Sequence, residues 1–345
     1  MENRDTASDQ KEMNMTNEIR ARVVGQEKGL YRISDGAEER LAELSGKFRY
    51  QVRVMADYPA VGDYVLTSWT EDGSNCIIEC LFARKSVFLR RSAGSEDREQ
   101  VVAANIDTVF ICMSMNYNFS LRRLERYLAT AWGSGATPVV VLTKSDLCED
   151  PAAKIAEAET VALGADVVAV SSLAEDVDAV RPYLESGKTI AFLGSSGVGK
   201  STLINKLLGA DLLKTSGIRA DGKGRHTTTR RELLRLPCGA FVIDTPGMRE
   251  LGMWDNDSGI DTAFADVAAL AEQCRFSDCA HSGEPGCAIC QALEAGTLSE
   301  DRWLSYQKLK CENAYAENKG DYLEEKRKKF KQIAKINKTS QEKLH

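Results

Sequence analysis

Hydrophobic and polar positions change rhythm twice along the chain. From Ile19 to about Arg91, apolar and polar residues alternate in short runs such as ARVVGQEKGLYRIS, YQVRVMAD and DYVLTSWTEDGSNCIIECLF. A period of two puts one face of a strand into a core and the other into water, and the turn-forming EDGSN at 71–75 predicts a hairpin within a small β-barrel. The stretch ARKSVFLRRSAGSEDREQ at 83–100 reads as a basic, polar linker. From Asn105, apolar strands alternate with amphipathic helices (IDTVFICMSM, LRRLERYLATAWGSG, TPVVVLT) as far as about Gly252. That texture predicts an α/β domain on a largely parallel sheet. Beyond it come helical patterns, a cluster of cysteines and the tail EEKRKKFKQIAKINKTSQEKLH, while residues 1–17 are polar and expected to be disordered.

A length of 345 residues predicts more than one domain. The net charge of -6 argues against a uniformly basic nucleic-acid binder but leaves room for local patches. The N-terminus has no apolar core for a signal peptide, and no run is long enough to span a bilayer. A cytoplasmic protein without membrane contact is therefore expected, with its ten cysteines reduced. Cys76, Cys80 and Cys112 lie in apolar runs and are expected to be small buried hydrophobes.

The stretch Gly194-Ser195-Ser196-Gly197-Val198-Gly199-Lys200-Ser201, continued by Thr202, fits G-x-x-x-x-G-K-[ST] between a strand-like TIAFL and a helix-like STLINKLL. Glycines let backbone N–H groups curl around phosphates at a helix N-terminus. Lys200 would reach the β- and γ-phosphates, and the Ser201 hydroxyl would bind Mg²⁺. AFVIDTPG brings Asp244 to a strand end as a second Mg²⁺ residue, with the Gly247 backbone N–H available to the γ-phosphate. Between them, SGIRADGKGRHTTTRRE suits a switch loop, and Thr227, Thr228 and Thr229 are equal candidates for a hydroxyl on the metal. The phosphate loop does not choose a base. Thr143-Lys144-Ser145-Asp146 at the end of VVVLT approaches N-K-x-D: a carboxylate at Asp146 accepts from the N1 and N2 donors of guanine, and the Lys144 stem can pack over the ring. Thr143 departs from the usual Asn. Ser171-Ser172-Leu173 has the form of the loop that meets the guanine O6.

All the elements of a GTPase are present, in the order base readers, phosphate loop, switch loop, D-x-x-G. Joining the termini of a compact domain and cutting it elsewhere preserves the sheet, so this order indicates a circular permutation. That order, with RKSVFLRRSAG, QVVAANIDTVF, LRRLERYLATAW, GRHTTT, DTPGMREL and the cysteine cluster, resembles the family of small-subunit-dependent GTPases called RsgA or YjeQ, over residues 19–310. The resemblance implies an OB-fold barrel (18–92), a circularly permuted P-loop GTPase domain (93–253) and a C-terminal helical zinc-binding domain with a basic tail (254–345). It also implies GTP hydrolysis stimulated by the small ribosomal subunit, late in maturation of that subunit; a monomer that binds rRNA, GTP and GDP is expected.

Cys274, Cys279, His281 and Cys287 form a donor set suited to one closed, structural Zn²⁺ site, with Cys290 a fifth candidate for four positions. The family pattern selects Cys287 and leaves Cys290 out. Met248 stands where many GTPases keep a water-orienting Gln. Of three histidines, His281 belongs to the cysteine cluster and His345 is the last residue, so His226 is the candidate catalytic group, which the resemblance also favours; a solvated loop residue or an rRNA contact is its other reading. Arg84, Lys85, Arg90 and Arg91, with the basic tail, offer charge for rRNA phosphates. Two rivals remain: a P-loop ATPase or small-molecule kinase, against which Asp146 speaks, and a zinc and OB nucleic-acid binder whose nucleotide site is structural or regulatory.

Overall fold

Alternating burial builds the first layer of the computed structural model, which describes residues 18–27, 29–69, 75–91, 99–171, 177–209, 232–244 and 257–317. Strands β1 (Ile19–Glu27), β2 (Leu30–Ser34), β3 (Glu39–Leu44), β4 (Tyr64–Trp69) and β5 (Cys76–Leu81) pair in the order β1-β2-β3-β5-β4, and a β1–β4 pairing closes the barrel. One residue in two points inward, so Ala21, Val23, Tyr31, Ile33, Ala42, Leu44, Val65, Cys76 and Ile78 make a single core, capped by Phe48 of helix α1 (Gly46–Gln51). This is an OB-like barrel. The antiparallel pairing of β4 with β5 gives the hairpin predicted around EDGSN. Cys80 contradicts the expectation for its run, because it lies on the outward face and is exposed.

The predicted linker is also corrected. The described part of this run is structured: β6 (Val87–Arg91) pairs antiparallel with β7 (Glu99–Ala104), and Phe88 is fully buried. Its neighbours explain the misreading. Arg84 forms a bidentate pair with the buried Asp63 (2.8 and 2.7 Å) and donates to Ala56 O and Tyr58 O. Lys85 pairs with Asp107. Arg84 therefore serves the fold and is not available to phosphates, and Lys85 has an internal partner as well.

The second sheet runs β10-β9-β8-β11-β13-β12 and joins the barrel through β12–β1, with Gly25 opposite Glu232. Here β8 is Thr108–Ser114, β9 Thr137–Thr143, β10 Asp166–Val170, β11 Thr189–Leu193, β12 Glu232–Arg235 and β13 Phe241–Asp244. All pairings from β10 to β13 are parallel and only β12 runs antiparallel. Near-continuous apolar strands such as TVFICMS and TIAFL are what a sheet covered on both faces requires. Helices α2 (Leu121–Gly133), α3 (Pro151–Glu159) and α4 (Lys200–Leu208) connect its strands. Strand β11, which leads into the phosphate-loop candidate, lies centrally in this sheet, between β8 and β13.

The chain divides into two compact units, Met1–Gly252 and Met253–His345. The second contains α5 (Asp257–Ala263), α6 (Ala265–Ala271), α7 (Ala288–Glu294) and α8 (Glu300–Glu317). Its anchor is Arg302, buried, whose guanidinium grips Asp266 at 2.9 and 2.7 Å, donates to Ala263 O at 2.9 Å and lies 4.4 Å over the Phe264 ring. Among the described residues, no helix is long and apolar enough to cross a membrane.

Candidate functional site

The phosphate-loop candidate begins at the end of β11, against Cys112 of β8. Gly194 has φ 145°, and a Cβ there would lie 2.3 Å from Cys112 O, so no side chain fits. Cys112 itself is sealed beneath the loop, and burial pushes its thiol up to about 12. At the other end α4 starts at Gly199 with no side-chain cap, which leaves its first N–H groups facing the loop. Lys200 is buried and donates to the carbonyl oxygens of Gly194 and Ser195, both at 2.6 Å. A buried ammonium that meets uncharged carbonyl oxygens at the loop is suited to receive anionic oxygens there. Ser196 and Gly197 are exposed, and Val198 is buried beneath them.

The segment that precedes this loop in sequence lies directly against it. Thr143 is buried at the end of β9, and its hydroxyl donates to Val198 O at 2.5 Å. Lys144, in a left-handed conformation (φ 60°), sends Nζ to Gly197 O at 2.8 Å. Ser145 and Asp146 lie in a short 3-10 turn (Ser145–Leu147). Asp146 is exposed, and its Oδ1 accepts from the Ser171 hydroxyl at 2.8 Å, so T-K-S-D and the start of S-S-L share one corner. Ser201 and Thr202 occupy the first turn of α4, and the Asp244 backbone ends β13. Ser172, Leu173, His226, Thr227, Thr228, Thr229, Gly247 and Met248 lie outside the described residues, as do the Asp244 side chain and both predicted tails.

Two residues that motif reading did not single out also touch the loop. Asn118 Nδ2 and Arg123 NH1 each lie 3.2 Å from Ser195 Oγ. Asn118 lies in the turn between β8 and α2, and Arg123 lies in the first turn of α2, inside the LRRLER run. The run carried a family likeness but no chemical motif, so only the fold brings it to the loop.

In the second unit, donor atoms of Cys274, Cys279, His281 and Cys287 all lie within 4.8 Å of one another. His281 Nδ1 is 3.5 Å from the Sγ atoms of Cys274 and Cys287, and those two sulfurs are 4.0 Å apart. A tetrahedral ion with bonds of about 2.3 Å to sulfur and 2.0 Å to nitrogen spaces its ligands by about 3.5–3.8 Å, so the cluster can hold a metal ion of that kind. His281 is held at φ 55°, a strained backbone for a residue with a side chain, as expected where ligation dictates its position. Cys287 caps α7 and accepts from Cys290 N–H at 3.5 Å. Burial pushes the Cys287 thiol up, but that N–H and its Cys/His neighbours outweigh it and bring it down to about 6. Cys290 turns its own thiol to His281 O, 3.7 Å away. Glu284 was missed in the sequence. Its carboxylate accepts from Ser282 N (2.7 Å) and Ala280 N (3.1 Å) and so folds the loop that presents Cys279 and His281.

Comparisons with known proteins agree with this geometry. The RsgA GTPase family model matches residues 81–254. The small ribosomal subunit biogenesis GTPase RsgA 2 of Lactiplantibacillus plantarum is 50% identical over 300 residues, covering 86% of this chain and 84% of its own. The crystal structure of YjeQ from Thermotoga maritima superimposes with a TM-score of 0.65 at 29% identity, over 85% of this chain and 97% of that one. YloQ, described as a circularly permuted GTPase, has the same fold, with a TM-score of 0.61 at 24% identity over 85% and 94% of the two chains.

Proposed function

Because the chain belongs to the RsgA GTPase family and is therefore a GTP hydrolase, we propose that it is a late maturation factor of the small ribosomal subunit. In this reading it binds rRNA as a cytoplasmic monomer and hydrolyses GTP faster on the subunit. One observation carries the nucleotide part: Thr143 and Lys144 are bonded to Val198 and Gly197, so a base reader and a phosphate loop written in reversed order form one site. The subunit role rests on what the relatives are called, small ribosomal subunit biogenesis GTPases. On the barrel, α1 and the turn after it expose Lys47, Arg49, Tyr50 and Arg53, an aromatic ring among cations that suits bases and phosphates.

The roles follow from the chemistry. Lys200 exchanges its two carbonyl partners for β- and γ-phosphate oxygens. Asp146 accepts from guanine N1 and N2, with Ser171 holding one carboxylate oxygen, and the Ser172–Leu173 backbone meets O6. Ser201, Asp244 and one of Thr227, Thr228 and Thr229 would hold Mg²⁺, which neutralises phosphate charge when bound. Gly247 offers its N–H to the γ-phosphate. His226 orients the attacking water once the subunit orders the switch loop. Cys274, Cys279, His281 and Cys287 would hold a structural Zn²⁺, whose role with four protein ligands would be to stabilise the fold rather than to activate water.

The test is single-turnover GTP hydrolysis with and without purified small subunits. Strong stimulation is expected for the parent. His226→Ala should keep GTP affinity and subunit binding and lose most of the stimulation, whereas Lys200→Ala should weaken nucleotide binding itself. Equal rates with and without subunits would refute the role, and a fully stimulated His226→Ala protein would assign the water to another group.

A further inference from the structure

Two nitrogen donors converge on one hydroxyl of the phosphate loop. Besides their contacts with Ser195 Oγ, Arg123 NH1 donates to Asn118 Oδ1 at 2.8 Å. A guanidinium has donors only, so the Asn118 oxygen must face Arg123 and its NH₂ must face Ser195. An amide NH₂ likewise only donates. Ser195 Oγ therefore accepts two hydrogen bonds, which occupies both lone pairs and leaves its own proton to be given away. Among the described residues, that hydroxyl donates to none. Asn118 is itself fixed, because its backbone N–H donates to Asn116 Oδ1 at 3.1 Å, and that oxygen also takes the Ser114 hydroxyl at 2.9 Å.

We propose that Asn118 and Arg123 are positioning residues of the GTP site, and that they aim the Ser195 hydroxyl as a donor at the γ-phosphate. The direction comes from Lys200, whose Nζ reaches Ser195 O at 2.6 Å. A phosphate-loop lysine serves the β- and γ-phosphates, so Ser195 lies at their end of the site, away from the α4 terminus. The cationic Arg123 polarises the hydroxyl it donates to, and a bond from that hydroxyl to an anionic oxygen is charge-assisted. GDP offers no γ-oxygen, so the device distinguishes the triphosphate from the product. The inference rests on reading residues 194–201 as the phosphate loop.

The test compares affinities for GDP and for a non-hydrolysable GTP analogue in the full-length protein. Ser195→Ala and Arg123→Ala should each weaken the analogue about tenfold, in line with the loss of one charge-assisted bond, and leave GDP within about twofold. The double variant should be no worse than either single one, because Arg123 acts only through the Ser195 hydroxyl. Arg123→Lys, which keeps the charge on a shorter stem, should fall between. Parallel losses for GDP and analogue, no loss, or additive losses would each overturn the proposal. If Arg123→Ala does not fold, Ser195→Ala decides alone, and its GDP affinity reports an intact site. Lys200→Ala separates the two levels: normal binding of both nucleotides by that variant would refute the loop assignment, whereas its failure beside an unaffected Ser195→Ala would refute only the role of Ser195.

Discussion

The Thr143 hydroxyl donates to the carbonyl oxygen of Val198 at 2.5 Å, across 55 residues of sequence, and ties the end of β9 to the phosphate loop. Met113 O is also near, at 3.4 Å, but one proton serves one acceptor well and the shorter bond takes it. Thr143→Val keeps the shape and removes the donor, leaving the Val198 carbonyl unpaired at a buried position. The loss of about 1–3 kcal/mol should appear as a weakening of about tenfold for GTP and GDP alike, because both nucleotides need the same loop. Thr143→Ser should bind like the parent. Nucleotide titration of both variants checks this, and a loss confined to GTP would show that Thr143 acts elsewhere.

Asp146 is the second base-side prediction. Replacing its carboxylate by an amide in Asp146→Asn removes the acceptor for guanine N1 and N2 and adds a donor. Preference should move from GTP toward xanthosine triphosphate, whose C2 oxygen accepts from the new NH₂. Competition among GTP, xanthosine triphosphate and ATP is the measurement. Unchanged exclusion of ATP together with unchanged GTP affinity would place guanine recognition outside this turn.

What the chain made legible was local chemistry. G-x-x-x-x-G-K-S, D-x-x-G and the strand-end T-K-S-D each lie within a few residues, and their order alone implied a permuted sheet, which the central place of β11 between β8 and β13 satisfies. What stayed hidden depends on partners far along the chain. The run at 83–100 resembled a linker because the partner of Arg84 is Asp63, 21 residues earlier, and the partner of Lys85 is Asp107, 22 residues later. Asn118 and Arg123 belong to no phosphate motif, and only the passage of β8 beside β11 brings them to Ser195. Thr143 looked like a departure from a motif because its compensation, a bond to Val198, is visible only in three dimensions.

Metal removal should act on the second unit as a folding event. Structural zinc contributes about 10–16 kcal/mol in small peptides, comparable with or above the whole stability of a domain. One zinc per chain is expected, lost in Cys274→Ala, Cys279→Ala, His281→Ala and Cys287→Ala. Cys290→Ala should retain it, since Cys290 is not one of the four donors that lie within 4.8 Å of one another and its backbone N–H to Cys287 survives the substitution. His281 meets Trp303 edge to face at 5.5 Å, so chelation should change tryptophan emission as the domain loosens. Metal analysis and fluorescence during chelator titration decide it. Zinc loss in Cys290→Ala with retention in Cys287→Ala would reverse the choice of fourth ligand.

Two contacts at the margin of the barrel differ in strength, and magnitudes separate them. Arg32 meets Glu232 at 3.1 Å beside the Gly25–Glu232 pairing, but the two side chains are 29% and 34% exposed. Water screens such a pair, so Glu232→Ala should cost less than about 1 kcal/mol. Gly62 is different. It has φ 95°, its N–H donates to Val23 O at 2.9 Å, and its oxygen accepts from Arg22 Nε and Asn105 Nδ2, both at 3.2 Å. An added Cβ would lie 2.1 Å from Ala104 O, a backbone atom that cannot swing away. Gly62→Ala combines a strained left-handed backbone with a clash against β7, and about 3 kcal/mol or more is expected. Denaturant unfolding of the two variants should rank them in that order, with Gly62→Ala lowering the midpoint and Glu232→Ala leaving it nearly in place. A Glu232→Ala protein as unstable as Gly62→Ala would mean that this margin is held by charge at the β1–β12 edge and not by backbone packing at Gly62.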